Sequence, residues 1–165
     1  MQRFLKSRFF AICLGLGFIG LDQWVKLLAL LHLDANSFKW GNNSAGIDLG
    51  LSLNPGAFLS LGAGLAPDVK QLIFIVGVGI VVVWAAGWAL ARWKRALGKA
   101  AAVYLIALGG GSNLLDRAFR GGHVVDYLVL KLGHLHTGVF NIADMAIMGG
   151  AAVLVLDGLR RPRKY

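Results

Sequence analysis

Apolar residues gather in four stretches along the chain, at about 9–33, 69–90, 100–119 and 140–159. Each is close to the ~20 residues that carry a helix across a bilayer core, so each predicts a transmembrane helix. The two longer links, about 34–68 and 120–139, change period. Leu49–Ser52 and Ala57–Leu61 are short apolar runs around Asn54-Pro55-Gly56, which predicts strand, turn, strand. Val124–Leu132 is a further short run rich in β-branched residues, after the breaker Gly121-Gly122. The pattern predicts one integral membrane domain over 1–165: a membrane α-helical fold, a four-transmembrane-helix bundle with a small extracytoplasmic β-sheet cradle.

Composition narrows the class. Hydrophobic residues make up 57% of the 165 and charged residues 15%, with a mean hydropathy of +0.66. Soluble domains run at roughly 45–50% apolar and ~25% charged. A soluble globule would leave large apolar patches in water, and a disordered chain would be far more polar. Arg3, Lys6 and Arg8 before the first stretch imitate a secretory leader. No small-x-small cleavage pattern follows, however, and the apolar pattern resumes after Asp22, which predicts a retained helix.

Charge gives direction. Lys and Arg number 17 against eight acids, every one an Asp, for a net charge of +9. The basic residues crowd before the first stretch, in the link Arg92, Lys94, Arg95, Lys99, and after the fourth stretch, at Arg160, Arg161, Arg163 and Lys164. Cytoplasmic loops hold such excess, so both termini are expected in the cytoplasm and the longer links outside. Because the charge flanks apolar spans rather than one soluble face, no nucleic-acid partner is expected. Cys13, the single cysteine, can form neither an intrachain disulfide nor a cysteine-based zinc site.

The informative residues are polar groups at membrane depth, where a charge costs ~2.5–3.5 kcal/mol on insertion scales. Asp22 and Lys26 stand one helical turn apart in the favourable order for an ion pair, which reads most simply as structural. Asn113, Asp116 and Arg117 share one helix face, either gluing helices together or positioning other groups. Asp126 lies in the apolar run after Gly122, and Asp144 in the first turns of the fourth helix, with Asn141 placed to cap it. Either aspartate alone reads equally well as structural. As a pair from different elements, they can converge near the outer face. Two carboxylates a few ångströms apart share a proton; one then takes a proton from water while the other gives one to the substrate, the aspartic-protease solution to peptide hydrolysis.

Rival chemistry is weaker. His123, Asp126 and His134-x-His136 allow a metal site to be drawn, but no H-E-x-x-H is present. The serines form no G-x-S-x-G elbow. A small proton- or ion-coupled membrane transporter is the main alternative, and an inert scaffold subunit the second; a transporter would string its acids along a path through the spans.

Five motifs in order resemble the signal peptidase II family, the bacterial lipoprotein signal peptidases. Asp22-Gln23-Trp24-Val25-Lys26 is similar to its D-Q-x-x-K, and Asn54-Pro55-Gly56-Ala57 to the start of its N-x-G-A-A-F-S. Asn113-Leu114-Leu115-Asp116-Arg117 resembles N-x-x-D-R, Gly122-His123-Val124-Val125-Asp126 resembles G-x-V-x-D, and Phe140-Asn141-Ile142-Ala143-Asp144 resembles F-N-x-A-D. Two departures are Phe58-Leu59-Ser60 after Ala57, and Ser112 where the family commonly has Gly.

The resemblance implies an aspartic endopeptidase of the bacterial cytoplasmic (inner) membrane that needs no metal or cofactor. It implies Asp126 and Asp144 as catalytic. Asn54, Gly56, Asn113, Arg117 and Asn141 would bind substrate or support the pair, and Asp22, Lys26 and Asp116 would be structural polar residues. The implied substrate is a diacylglyceryl-modified prolipoprotein met among membrane lipids and cut just before the lipid-modified Cys. Globomycin-type cyclic peptides are the implied inhibitors.

Overall fold

The computed structural model describes residues 7–33, 37–42, 44–56, 64, 66, 68–69 and 72–160. Helix α1, Arg8–His32, opens at Ser7, whose hydroxyl accepts from the Phe10 N–H. A π-helical stretch, Leu72–Gly77, runs into α2, Val78–Arg92. Helix α3 is Leu97–Phe119 and α4 is Ile142–Leu159. These elements fall on the four expected stretches. Among the described residues, three helices are long and apolar enough to cross a membrane: Arg8–His32, Ile75–Arg92 and Ile142–Leu159. Helix α3 has the length, at 23 residues, but its last turns carry Ser112, Asn113, Asp116 and Arg117, which lower its apolar average.

Four strands form one antiparallel sheet in the order β1-β2-β3-β4. They are β1 Phe38–Gly41, β2 Ala45–Asn54, β3 Val124–Leu132 and β4 Leu135–His136. The expected strand at Leu49–Ser52 is the second half of β2, and Val124–Leu132 is β3 as anticipated. Ala57–Leu61, together with the Phe58-Leu59 departure, lies outside the described residues. The pairing partners of β2 are β1, which periodicity did not signal, and β3. Strands β1 and β2 follow α1, whereas β3 and β4 follow α3. Their union in one sheet places both long links at the same end of the helices.

Little side-chain volume separates the helices. One apolar cluster joins Ala11, Ala89, Trp93, Ala100 and Tyr104; another seats Val125 and Tyr127 of β3 against Ala29 of α1 and Leu33, which caps it. Large apolar residues such as Leu16, Leu31, Val83, Trp84 and Val155 point outward, a surface suited to lipid. Small residues let helices approach where water does not drive them together. A Cβ on Gly109 would meet Ile147 Cγ1 at 2.8 Å, and one on Gly150 would meet the Ala102 carbonyl oxygen at 2.5 Å. The bare glycines thus allow α3 to press against α4, which sets Asn113 beside Asp144.

Candidate active site

Two polar clusters adjoin where α1, α3 and α4 meet the sheet. The first surrounds Lys26, which is fully buried. An ammonium has three donors and no acceptor. Those of Lys26 reach Asp22 Oδ2 at 2.8 Å, Asp116 Oδ2 at 2.9 Å and Asn113 Oδ1 at 2.8 Å. Both carboxylates meet further donors. Asp22 accepts from the Ser112 hydroxyl at 2.6 Å and from the Ala143 N–H at 3.0 Å. Asp116 accepts from the Val125 N–H at 3.1 Å, from Gln23 Nε2 at 2.8 Å and from Arg120. The expected Asp22–Lys26 pair is thus present, enlarged to include Asp116, and it ties α1 to α3, α4 and β3.

The second cluster holds Asp126, from β3, and Asp144, from the first turn of α4. Asn141 joins them. Its side-chain oxygen accepts from the Asp144 N–H at 2.9 Å, while Asp144 Oδ2 accepts from the Asn141 N–H at 3.1 Å. This reciprocal cap satisfies two helix-terminal donors and fixes the Asp144 rotamer. Asn141 Nδ2 donates to Asp126 Oδ1 at 2.6 Å. The second oxygen of Asp126 accepts from Asn54 Nδ2 at 3.0 Å. Asp144 Oδ1 accepts from Asn113 Nδ2 at 2.8 Å. Each carboxylate therefore receives two N–H donors, one on each oxygen.

Asn54 is held by its own turn, since its side-chain oxygen accepts from the Gly56 N–H at 3.0 Å. Arg117 clamps that turn, donating to the Gly56 carbonyl and, at 3.4 Å, to the Asn113 carbonyl. Burial pushes the Asp126 carboxyl up to about 6, with the Asp144 charge adding to the rise; the bonds from Asn54 and Asn141 and the charge of Lys26 oppose it. The neighbouring Tyr127 hydroxyl is also pushed up by burial and by the charge of Asp22, so it stays neutral.

All ten residues expected from the sequence converge in these two clusters. Gln23, Ser112 and Arg120 were missed. Gln23 is a polar residue at membrane depth, Ser112 adjoins Asn113, and Arg120 stands four residues after Asp116, so spacing held a signal for each. His134 and His136 are exposed on the β3–β4 hairpin. Among the described residues no group of three His, Cys, Asp or Glu side chains is placed to hold a metal.

An apolar helical frame around two amide-bridged carboxylates defines a helical membrane protein with a buried, titratable polar site. Residues 14–160 match the family model described as Signal peptidase (SPase) II, and the chain belongs to that family. It is 36% identical over 148 residues to the lipoprotein signal peptidase of Cupriavidus taiwanensis, a match covering 88% of this chain and 80% of that one. The Ralstonia nicotianae lipoprotein signal peptidase is 35% identical over 156 residues, covering 92% and 86%. The Campylobacter jejuni one is 32% identical over 147 residues, covering 87% and 83%. Two solved bacterial membrane enzymes share the fold. Their TM-scores are 0.73 and 0.70, at 21% and 20% identity. The matches cover 93% and 92% of this chain, and 92% and 93% of theirs.

Proposed function

We propose that this protein removes the signal peptide from diacylglyceryl-modified prolipoproteins by aspartic hydrolysis at Asp126 and Asp144, cutting just before the lipid-modified Cys. Family membership makes it a protease that acts on prolipoproteins. The observation that carries the mechanism is the bridging of two carboxylates, from β3 and from α4, by Asn141. The ionised member takes a proton from water, and the water oxygen attacks the scissile carbonyl. The protonated member gives its proton to the carbonyl oxygen. Collapse of the tetrahedral intermediate breaks the C–N bond, and the amine leaves with a proton returned by the pair. No metal or nucleophilic side chain is needed.

In this reading 1–165 is one domain whose four helices all cross the bacterial inner membrane, with both termini cytoplasmic. The sheet lies outside, so water reaches the pair from that face. The substrate helix and acyl chains approach through lipid, and globomycin-type cyclic peptides would compete for the same site. Asn54, Gly56 and Arg117 then border the scissile peptide. The membrane-depth acids gather at the sheet end, while Asp157, near the far end of α4, pairs with Lys99 at 3.2 Å; a transporter's path of acids through the spans is not what this resembles.

The test uses purified protein and one precursor in two forms, with and without diacylglyceryl on its Cys. Burying acyl chain contributes about 0.8 kcal/mol per CH₂. The modified precursor should be cut far faster, with the new N-terminus at the lipid-bearing Cys by mass spectrometry. Strong chelators should leave the rate unchanged. Equal rates for both precursors, or a cut elsewhere, would contradict the substrate assignment. An externally active reporter should work when fused at Gly133 and fail at Gly98; the reverse would contradict the orientation.

A further inference from the structure

Three asparagines surround the paired carboxylates, and each presents its nitrogen to them: Asn54 and Asn141 to Asp126, Asn113 to Asp144. An amide has a donor end and an acceptor end. Whichever end meets a carboxyl decides whether the ionised or the protonated form is favoured. The orientation of each amide therefore needs a cause. For Asn54 it is the Gly56 N–H, and for Asn141 the Asp144 N–H, both of which hold the oxygen. For Asn113 the strongest hold on the oxygen is Lys26 Nζ at 2.8 Å; Asn141 Nδ2 also reaches it, at 3.2 Å, while serving Asp126 at 2.6 Å and the Val125 carbonyl at 3.3 Å.

We propose that Lys26 is a positioning residue for cleavage: as a donor-only group it admits only the oxygen of Asn113, so Asp144 meets an N–H and never a carbonyl. This rests on the reading of Asp126 and Asp144 as the reacting pair. The ion pairs with Asp22 and Asp116 hold Lys26 in place, which gives that buried network a second task beyond joining helices. Reversal of the Asn113 amide would set its oxygen against Asp144 Oδ1, an arrangement compatible only with a protonated Asp144, and would remove that carboxylate as a base. The charged groups around Asp144 are Asp22 and Lys26 from α1, Arg117 from α3, and Asp126 from β3.

The test is a double-mutant cycle of Lys26→Gln and Asn113→Ala, read on cleavage of the lipid-modified precursor. A glutamine at position 26 donates its NH₂ to the Asp22 and Asp116 carboxylates and turns its oxygen to Asn113, inviting the reversed amide. Lys26→Gln should lower kcat about 10- to 100-fold with KM changed less than about threefold. The acid limb of the kcat profile should also move to higher pH. In the Asn113→Ala background, where no amide remains to be oriented, the same substitution should change kcat less than about threefold. If the Gln variant does not fold, Lys26→Arg carries the test: a donor-only guanidinium should leave the acid limb of kcat in place, and a shifted limb would overturn the proposal. For Lys26→Gln, effects that multiply through the cycle, or an acid limb that stays in place, would overturn the proposal. Retained turnover in Asp126→Asn and Asp144→Asn would overturn the aspartic reading itself; inactive Asp variants with a multiplicative cycle would remove only the role of Lys26.

Discussion

Two pairs of aspartates lie side by side in this protein, and their nearest partners differ. Asp22 and Asp116 share an ammonium, with Lys26 Nζ 2.8 and 2.9 Å from them. The close donors of Asp126 and Asp144 are neutral amides: Asn54 and Asn141 for one, Asn113 and the Asn141 backbone for the other. Arg117 donates to the carbonyls of Gly56 and Asn113, and the charges of Arg117 and Lys26 reach the pair through space. A carboxylate with a buried counterion is an ion-pair partner that ties helices together. Burial, with the Asp144 charge adding to it, pushes Asp126 up to about 6, against the opposing amide bonds and the charge of Lys26. Residue type is thus alike in the two pairs, and the direct counterion is what separates them.

The largest break in this comparison is removal of the counterion. Lys26→Met leaves Asp22 and Asp116 buried without their ammonium, and breaking a buried pair costs about 3–5 kcal/mol. Thermal unfolding in detergent should show a loss of that order.

The converse appears at Asp126. Its folded-state carboxyl titrates at about 6 against an ordinary 3.8. The folded chain therefore holds a proton that the unfolded chain releases between those values. Asp126 stabilises fully below about pH 4, and that contribution is lost as pH rises through 6. Asp126→Asn keeps the neutral form at every pH. Its stability relative to the parent should improve by roughly 2–3 kcal/mol between pH 4 and pH 8, measured by denaturant unfolding at both.

Two smaller changes sharpen the picture. Gly109→Ala inserts a methyl against Ile147 and the Ala143 backbone. Overpacking of this kind costs about 1–3 kcal/mol, and here it pushes Asn113 from Asp144, so kcat should fall with little change in KM. Asn54→Ala removes a hydrogen bond that lowers the Asp126 pKa. The acid limb of kcat/KM should rise by about one pH unit or less.

Periodicity found the helices because each is a long, nearly unbroken apolar run, and it found β3 because Val124–Leu132 is short and bounded by glycines. It missed β1: Phe38–Gly41 has four residues and becomes a strand through pairing with β2, a contact no local pattern records. Helix α3 was legible in length, but the polar residues that make its last turns useful also weaken its apolar signature. At the site, the i,i+4 rule exposed Asp22 with Lys26, yet the third member, Asp116, comes from another helix. The bridging role of Asn141 was half legible: its position suggested a cap, while its bond to Asp126 depends on Phe140 pairing with Leu128 of β3. The polarity of Asn113 was hidden, because it depends on which end of an amide faces Lys26.

The most direct measurement is turnover of a diacylglyceryl-modified precursor by purified Asp126→Asn and Asp144→Asn, with Asp22→Asn beside them as the comparison from the other pair. Each variant is first shown to be inserted and folded. Asp126→Asn and Asp144→Asn should each lose turnover by at least ~10³-fold while remaining folded; Asp22→Asn should lose stability and keep measurable cleavage. Normal cleavage by either of the first two would contradict the assignment of the reacting pair.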